Sequence, residues 1–256
     1  MENKTGILQK AFIIMECLGE ANYDLSLDDV CSKIEMSKST VFRILTQLVQ
    51  MGYIDKYNNR YKLSMRLLSL AKTTLHNKRD VHDIIKRFMI ELRDTYNETV
   101  NFAILDNKQA VFFASEPSRH VFRVENRIGQ ALPFHCMSIG KAIAAYLPEN
   151  IVRELLQKER MEKKTENTIT DVKQYLKELQ EIKNTGYAVD NEECYAGVKC
   201  IGVPIFGSGN IIFGGMSIAG PATRMDSDRV LQMAKDLQLA GYKISFELNS
   251  NNIGSN

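Results

Sequence analysis

No stretch of this sequence is apolar for long enough to cross a bilayer. Its first residues, Met-Glu-Asn-Lys-Thr, lack the basic and apolar blocks of a secretory leader, so the expected compartment is the cytoplasm. Cysteine is scarce. Cys17, Cys31, Cys136, Cys194 and Cys200 are odd in number and irregular in spacing, which argues for reduced thiols and against a disulfide framework. Net charge is almost absent, +2 over 256 residues. No global field therefore marks a nucleic-acid binder, and such a function has to come from where the basic residues sit. The chain also lacks an internal repeat and a Gly-x-Ser-x-Gly nucleophile elbow. No cofactor is expected. What is present is apolar material, 44% of residues, enough for two modest domains with cores of their own.

The first sixty-odd residues carry three helical patterns. Ile7, Ala11, Ile14 and Leu18 form one apolar stripe that Gly19 can end. Ser26-x-x-Asp29 is a capping box for a second, short helix with Leu27, Val30 and Ile34 inward. Ser37 is an N-cap for a third, with Val41, Ile44, Leu45, Leu48 and Val49 on its buried side. The opposite face of that helix carries Ser39, Arg43, Thr46 and Gln50, flanked by Lys38 and Thr40. Arg grips guanine or phosphate bidentately and short hydroxyls reach phosphates, so these are the side chains a major-groove helix needs. After Gly52 the chain alternates through Tyr57, turns at Asn58-Asn59 and returns as Arg60-Tyr61-Lys62-Leu63, a two-residue hairpin of the kind that forms a wing. Between Ser37 and Arg66 the charges are Lys38, Arg43, Lys56, Arg60, Lys62 and Arg66 against Asp55 alone. A solvated helix face is also polar. Here, however, three helices, a hairpin and a one-signed charge cluster coincide in the order a winged helix requires.

The sequence resembles the IclR family of bacterial regulators. The resemblance is carried by Ser37-Lys38-Ser39-Thr40-Val41-Phe42-Arg43-Ile44-Leu45, Gly52-Tyr53 and Arg60-Tyr61-Lys62-Leu63. In the second half it is carried by Pro133-Phe134-His135, Ile139-Gly140-Lys141-Ala142, Gly186 through Glu193, Gly197-Val198-Lys199-Cys200-Ile201 and Ser217-Ile218-Ala219-Gly220-Pro221. It implies an α+β protein: an N-terminal winged helix-turn-helix joined by a helical connector to a GAF-like effector-binding domain. It also implies a repressor that binds double-stranded operator DNA as a homodimer or homotetramer. The expected boundaries are 1–75 for the DNA-binding domain, 76–98 for the connector, 99–248 for the effector domain and 249–256 for a disordered tail. Within 64–97 the polar run His76-Asn77-Lys78-Arg79-Asp80 reads as the break between two helices.

The second domain mixes strand-like runs at Val100–Leu105, Ala110–Ala114 and Lys199–Ala219 with helices near Gly140–Leu147, Ile151–Gln157, Val172–Lys183 and Ser227–Lys243. The turn Gly207-Ser208-Gly209-Asn210, with Phe206 opposite Ile211 in the simplest register, sets Cys200 against Ser217 and Gly202 against Gly215. Cys200, Gly202, Gly215, Ser217 and Ala219 then share one hollow face, while Ile201, Val203, Ile205, Ile212, Met216 and Ile218 fill the other. A face of small residues leaves volume for a small ligand, and the amides that open a helix near Gly140 favour an anion. By resemblance, the effector contacts fall on Ser138, Ile139, Asp190 in the loop before the hairpin, Cys200 and Ser217. Ala219 stands where many relatives have a second serine, so one hydroxyl contact is missing. For each residue a bland role stands beside the functional one: Cys200 as an inert core thiol, Asp190 as a turn-former bonding its own backbone. Two rival functions remain open. One is a metal- or thiol-responsive regulator using Cys136, Cys194 and Cys200, although Cys194 and Cys200 are not at a compact zinc-knuckle spacing. The other is a cysteine-dependent enzyme with His135 as base, although His135 and the adjacent Cys136 would diverge on a strand.

Overall fold

The computed structural model describes residues 6–21, 23–70, 79–106, 108–251 and 253. Their contacts divide the chain into two units, Met1–Arg79 and Asp80–Asn256. In the first, helices α1 (Ile7–Glu20), α2 (Leu27–Lys33) and α3 (Lys38–Gln50) surround Ile14, Leu25, Val30, Val41, Ile44 and Leu45, all 0–1% exposed. The caps fall where the sequence puts them. Ser26 Oγ accepts from Asp29 N at 3.1 Å and Asp29 Oδ2 accepts from Ser26 N at 2.9 Å, while Ser37 Oγ accepts from Thr40 N at 3.4 Å. The strands β2 (Ile54–Tyr57) and β3 (Arg60–Leu63) pair with Tyr57 opposite Arg60. The turn between them holds Asn58 and Asn59 at φ of 48° and 57°, the left-handed pair that a two-residue hairpin demands.

Three expectations for this unit change. Leu25–Ser26 forms a third strand, β1, whose pairing of Leu25 with Tyr61 ties the wing to the start of α2. A two-residue strand has no periodicity to read. Helix α1 runs through Gly19 to Glu20, and a Cβ at position 19 would lie 3.3 Å from Leu63 Cδ1. Finally, Ile7 is half exposed and Cys17 is buried in its place on the stripe. Residues 71–78, where most of the polar break was expected, lie outside the described residues.

The second unit is built on an antiparallel six-stranded sheet. Its strands are β4 (Thr99–Asp106), β5 (Gln109–Glu116), β6 (Ala131–Leu132), β7 (Ala188–Asn191), β8 (Val198–Phe206) and β9 (Ile212–Pro221), in the order β6-β5-β4-β9-β8-β7. One face is covered by α4 (Arg79–Tyr96) and α8 (Ser227–Ser250). Val81, Ile85, Met89, Leu237 and Ile244 meet Val100, Phe102, Ile201, Val203, Met216 and Ile218 there. The described part of the segment read as a connector, 79–96, is thus core material of this unit. The other face carries α5 (Ser138–Ala144), α6 (Glu149–Glu159) and α7 (Val172–Thr185) over Ala103, Phe112 and Leu132. Helix α8 outruns its expected end and continues to Ser250. Ser208 N donates to Ile253 O at 2.9 Å, so the expected disordered tail starts inside ordered structure.

The register differs from the simplest one by two residues. Cys200 faces Ala219, Gly202 faces Ser217 and Pro204 faces Gly215, with an irregularity between Ile205 and Phe206. A shift of one would have turned the small residues to the opposite face; a shift of two keeps them together. Beyond the irregularity the alternation changes, and Ile212, expected beside Ile201, packs with Ile139 and Ile143 on the other side. Asp190 is a residue of β7, paired with Cys200, and not a loop residue.

The small face is small because α5 lies on it. A Cβ on Gly202 would sit 2.6 Å from Ser138 C and 2.9 Å from Ile139 N, and one on Gly140 would sit 2.5 Å from Pro133 O. Both obstacles are backbone. Gly202→Ala is therefore expected to destabilise the second unit by about 1–3 kcal/mol through overpacking, measured as a loss of denaturation midpoint at unchanged m-value.

Candidate functional site

On the first unit, α3 presents Lys38, Ser39, Arg43 and Gln50 to solvent, with Thr40 and Thr46 half-buried. The hydroxyls are already engaged. Thr40 Oγ1 lies 2.8 Å from Ser37 Oγ, Ser39 Oγ 3.3 Å from the same atom, and Thr46 Oγ1 donates to Phe42 O at 2.8 Å. Lys38 pairs with Asp28 at 2.5 Å. Arg60, although exposed, donates to Asp24 O at 2.7 Å, so it fastens the wing to the start of α2. Arg43, Gln50 and, on the wing, Lys62 are exposed and make no ion pair or side-chain hydrogen bond among the described residues. Phe42, half exposed beside Arg43, was not singled out by its sequence pattern. Arg66 stacks on the Tyr53 ring and donates to Met51 O at 2.7 Å, closing the end of α3.

In the second unit all six effector candidates, Ser138, Ile139, Asp190, Cys200, Ser217 and Ala219, line one narrow cavity of about 20 Å³. Asn101, Phe112, Asn126 and Tyr195 complete much of its wall. Asn101 could have been found by extending the strand alternation of β4, where Thr99, Asn101 and Ala103 share a face; it lies opposite Ser217 and accepts from Ser115 Oγ at 2.8 Å. The 120s loop and Tyr195 carried no such signal, because loops have no period. No Lys or Arg lines this cavity among the described residues.

Asp190 bonds its own backbone and also lines the cavity. Its Oδ1 accepts from Glu193 N at 2.8 Å and Cys194 N at 3.4 Å, shaping the following loop, and the carboxyl borders the cavity. Burial, against the pull of those amides, raises its pKa to about 7. Behind it Lys141 is fully buried, one turn into α5. Its ammonium donates to Glu178 Oε1 at 2.6 Å, Glu193 Oε1 at 2.7 Å and Val189 O at 2.6 Å. Burial favours losing the charge, but the carboxylates of Glu193 and Glu178 more than offset it, so the ammonium stays protonated.

Cys136 and Cys200 are poorly disposed to ionise. All five cysteines are free. Its hydrogen bond with Cys194, together with burial, holds the Cys136 thiol far above the ordinary range, and burial does the same for Cys200. His135 is not free to act as a base: Nδ1 lies 3.2 Å from Glu159 Oε2 and Nε2 lies 3.1 Å from Glu162 O. Among the described residues no three of His, Cys, Asp and Glu are placed to hold a metal ion.

A polar helix face with a wing and a second unit with a small internal cavity describe a ligand-controlled DNA-binding protein, and comparison with known proteins decides which. Residues 73–246 match the bacterial transcriptional regulator IclR C-terminal domain, and residues 7–56 the IclR helix-turn-helix domain. The chain belongs to the IclR family of bacterial transcriptional regulators. It is 30% identical over 244 residues, 93% of this chain and 91% of the relative, to the HTH-type transcriptional regulator KdgR of Escherichia coli. The IclR regulator of Thermotoga maritima superposes with a TM-score of 0.76 at 28% identity, covering 94% of this chain and 98% of that one. An IclR homologue from Microbacterium hydrocarbonoxydans, complexed with 4-hydroxybenzoate, shares the fold with a TM-score of 0.77 at 21% identity, covering 96% and 100%. As an IclR-family member the chain is a DNA-binding regulator that responds to small molecules, and not an enzyme.

The raised pKa of Asp190 has a sign. Between the unfolded value of about 4 and the folded value of about 7, the folded state binds the extra proton, so stability falls as pH rises through that window. Asp190→Asn keeps an oxygen for the two amides and removes the titration. Unfolding free energy measured from pH 4.5 to 7.5 should therefore decline less steeply in Asp190→Asn than in the parent, by up to about 1.4 kcal/mol per pH unit.

Proposed function

We propose that the protein is a cytoplasmic repressor that reads its operator through α3 and the β2–β3 wing and is released or recruited by a small molecule in the narrow cavity of its second unit. The observation that carries the effector half is the convergence of Ser138, Ile139, Asp190, Cys200, Ser217 and Ala219 on one enclosed space. For the DNA half it is the placement of Arg43 and Gln50, unpaired and exposed, along one side of α3. Arg43 reaches a base edge, Gln50 and Thr46 lie along the same groove, and Lys38, Ser39 and Thr40 meet phosphate at the helix start. Lys62 touches the backbone from the wing. Arg60 supports the wing from within and contacts DNA only if it lets go of Asp24. One such domain reads a short half-site, so the protein acts as a homodimer or homotetramer on a pseudo-palindrome.

The effector is a small carboxylate or its neutral hydrogen-bonding equivalent. With Asp190 in the wall and no cationic side chain lining the cavity among the described residues, a carboxylate binds only with Asp190 protonated, which a pKa of about 7 makes accessible. Its affinity falls as pH rises past 7. A thermal-shift screen of keto acids, sugar acids and aromatic acids identifies it, because a ligand of the folded state raises the melting temperature. The 4-hydroxybenzoate bound by the Microbacterium homologue puts aromatic carboxylates in that screen.

Two measurements test these assignments. With DNA obtained by in vitro selection, Arg43→Ala should cost about 1–3 kcal/mol on the selected site and little on random duplex. Lys62→Ala should weaken both alike and flatten the salt dependence. Equal, sequence-blind losses for the two would remove Arg43 from the reading face. Ala219→Val adds two methyl groups to the cavity wall and leaves position 217, opposite Gly202, unchanged. It should leave operator binding intact and abolish the effector's influence on it. A full effector response in Ala219→Val places the pocket elsewhere.

A further inference from the structure

A cavity of about 20 Å³ holds roughly one water molecule, so an effector reaches it only after something moves. Next to it lies an open cleft of about 480 Å³, with Pro133, His135, Lys158, Lys164 and Cys194 in its walls. Among the described residues a single side chain borders both spaces, that of Tyr195. It stands 57% exposed, next to Cys194 at 6%.

The backbone that carries Tyr195 is tied down. Glu193 N and Cys194 N donate to Asp190 Oδ1, the Glu193 carboxylate accepts from Lys141, and Thr168 Oγ1 donates to Glu193 O at 2.6 Å. On the far side Val198 N donates to Tyr195 O at 3.1 Å, and Gly197 N donates to Glu192 Oε2 at 2.7 Å. A loop fixed this way is a poor hinge. The ring is different: it lies half in water, and its hydroxyl has no hydrogen-bond partner among the described residues. A change of rotamer therefore breaks little and proceeds fast for an exposed side chain.

We propose that Tyr195 is the gate of the effector cavity: its ring closes the passage from the open cleft, its rotation opens that passage, and its size limits which small polar molecules enter. This rests on the reading of the cavity as the effector site. Its specificity consequence is separate from that of the inner wall, since Ser138, Asp190 and Ser217 select by hydrogen bonding whereas Tyr195 selects by access.

Cys200 lines the same cavity as Tyr195 and is 5% exposed, so its alkylation reports opening before any effector is known. The full chain is treated with iodoacetamide and the modification of each cysteine is followed in time by mass spectrometry. Tyr195→Ala should speed reaction at Cys200 by about tenfold, and Tyr195→Trp should slow it. Cys136, 0% exposed and outside both spaces, should keep its rate and so control for general loosening. An unchanged Cys200 rate in Tyr195→Ala overturns the proposal, as does equal acceleration at Cys136. Failure of the effector-site reading looks different: Tyr195→Ala still accelerates Cys200, while Ala219→Val keeps its effector response.

Discussion

The close approach of α5 to the sheet is the constraint on which the regulatory half depends. Gly202 and Gly215 on the sheet remove the Cβ atoms that would hold the two apart, while Gly140 on the helix clears the main chain of Pro133 and Phe134. Main chain then lies against main chain, and the first turn of α5 is set beside β8 and β9. Interiors are packed too tightly for this to be a loose preference. The space left over at the end of that contact, between Ser138, Cys200, Ser217 and Ala219, is the cavity. The small residues thus have two effects: most of them admit a helix, and the remainder leave the hollow beside it.

Such a contact needs fixing along its length, and Lys141 supplies that. A fully buried ammonium is tolerable only when surrounded, and here two carboxylates and a carbonyl from α7, β7 and the following loop surround it. Removing one member of such a set typically costs about 3–5 kcal/mol, because the others stay behind as buried unpaired charge. The same network holds the loop that shapes Asp190 and carries Tyr195. Inner wall, gate and helix are consequently registered against one another by charge, while the glycines register them by shape. A ligand that changes the Asp190 side of this network acts on α5 directly. Regulation of DNA affinity follows from any difference in ligand affinity between two such arrangements, by linkage.

The DNA-reading half follows a different logic. Its hydroxyl residues serve the helix: Ser37, Ser39 and Thr40 share one network at the N-terminus of α3, and Thr46 returns to Phe42 O. Arg43, Gln50 and Lys62 are left without protein partners among the described residues. A side chain that the fold does not engage keeps its hydrogen-bonding capacity for another molecule, and a guanidinium offers the most of it.

The sequence by itself determined the elements whose causes are local. The capping box at Ser26, the N-cap at Ser37, the Asn58-Asn59 turn and the apolar stripe of α3 each rest on residues within a turn or two of one another, and all are found in the structure. It also determined which residues of β8 and β9 share a face, since alternation fixes parity whatever the register. Tertiary structure decided the rest. Of the two-residue offset between β8 and β9, one residue comes from a turn that pairs Phe206 with Ile212 and one from the irregularity beside it, where no periodic pattern can count residues. The strand at Asp190 exists because β8 pairs with it, and the strand at Leu25 because β3 does. Lys141 reads as an ordinary helix lysine until α7, β7 and the 190s loop close around it, and Tyr195 as an ordinary loop residue until two hollows meet at its ring. Partners that far apart in the chain leave no spacing in the sequence, and only the packing of the whole unit brings them within reach.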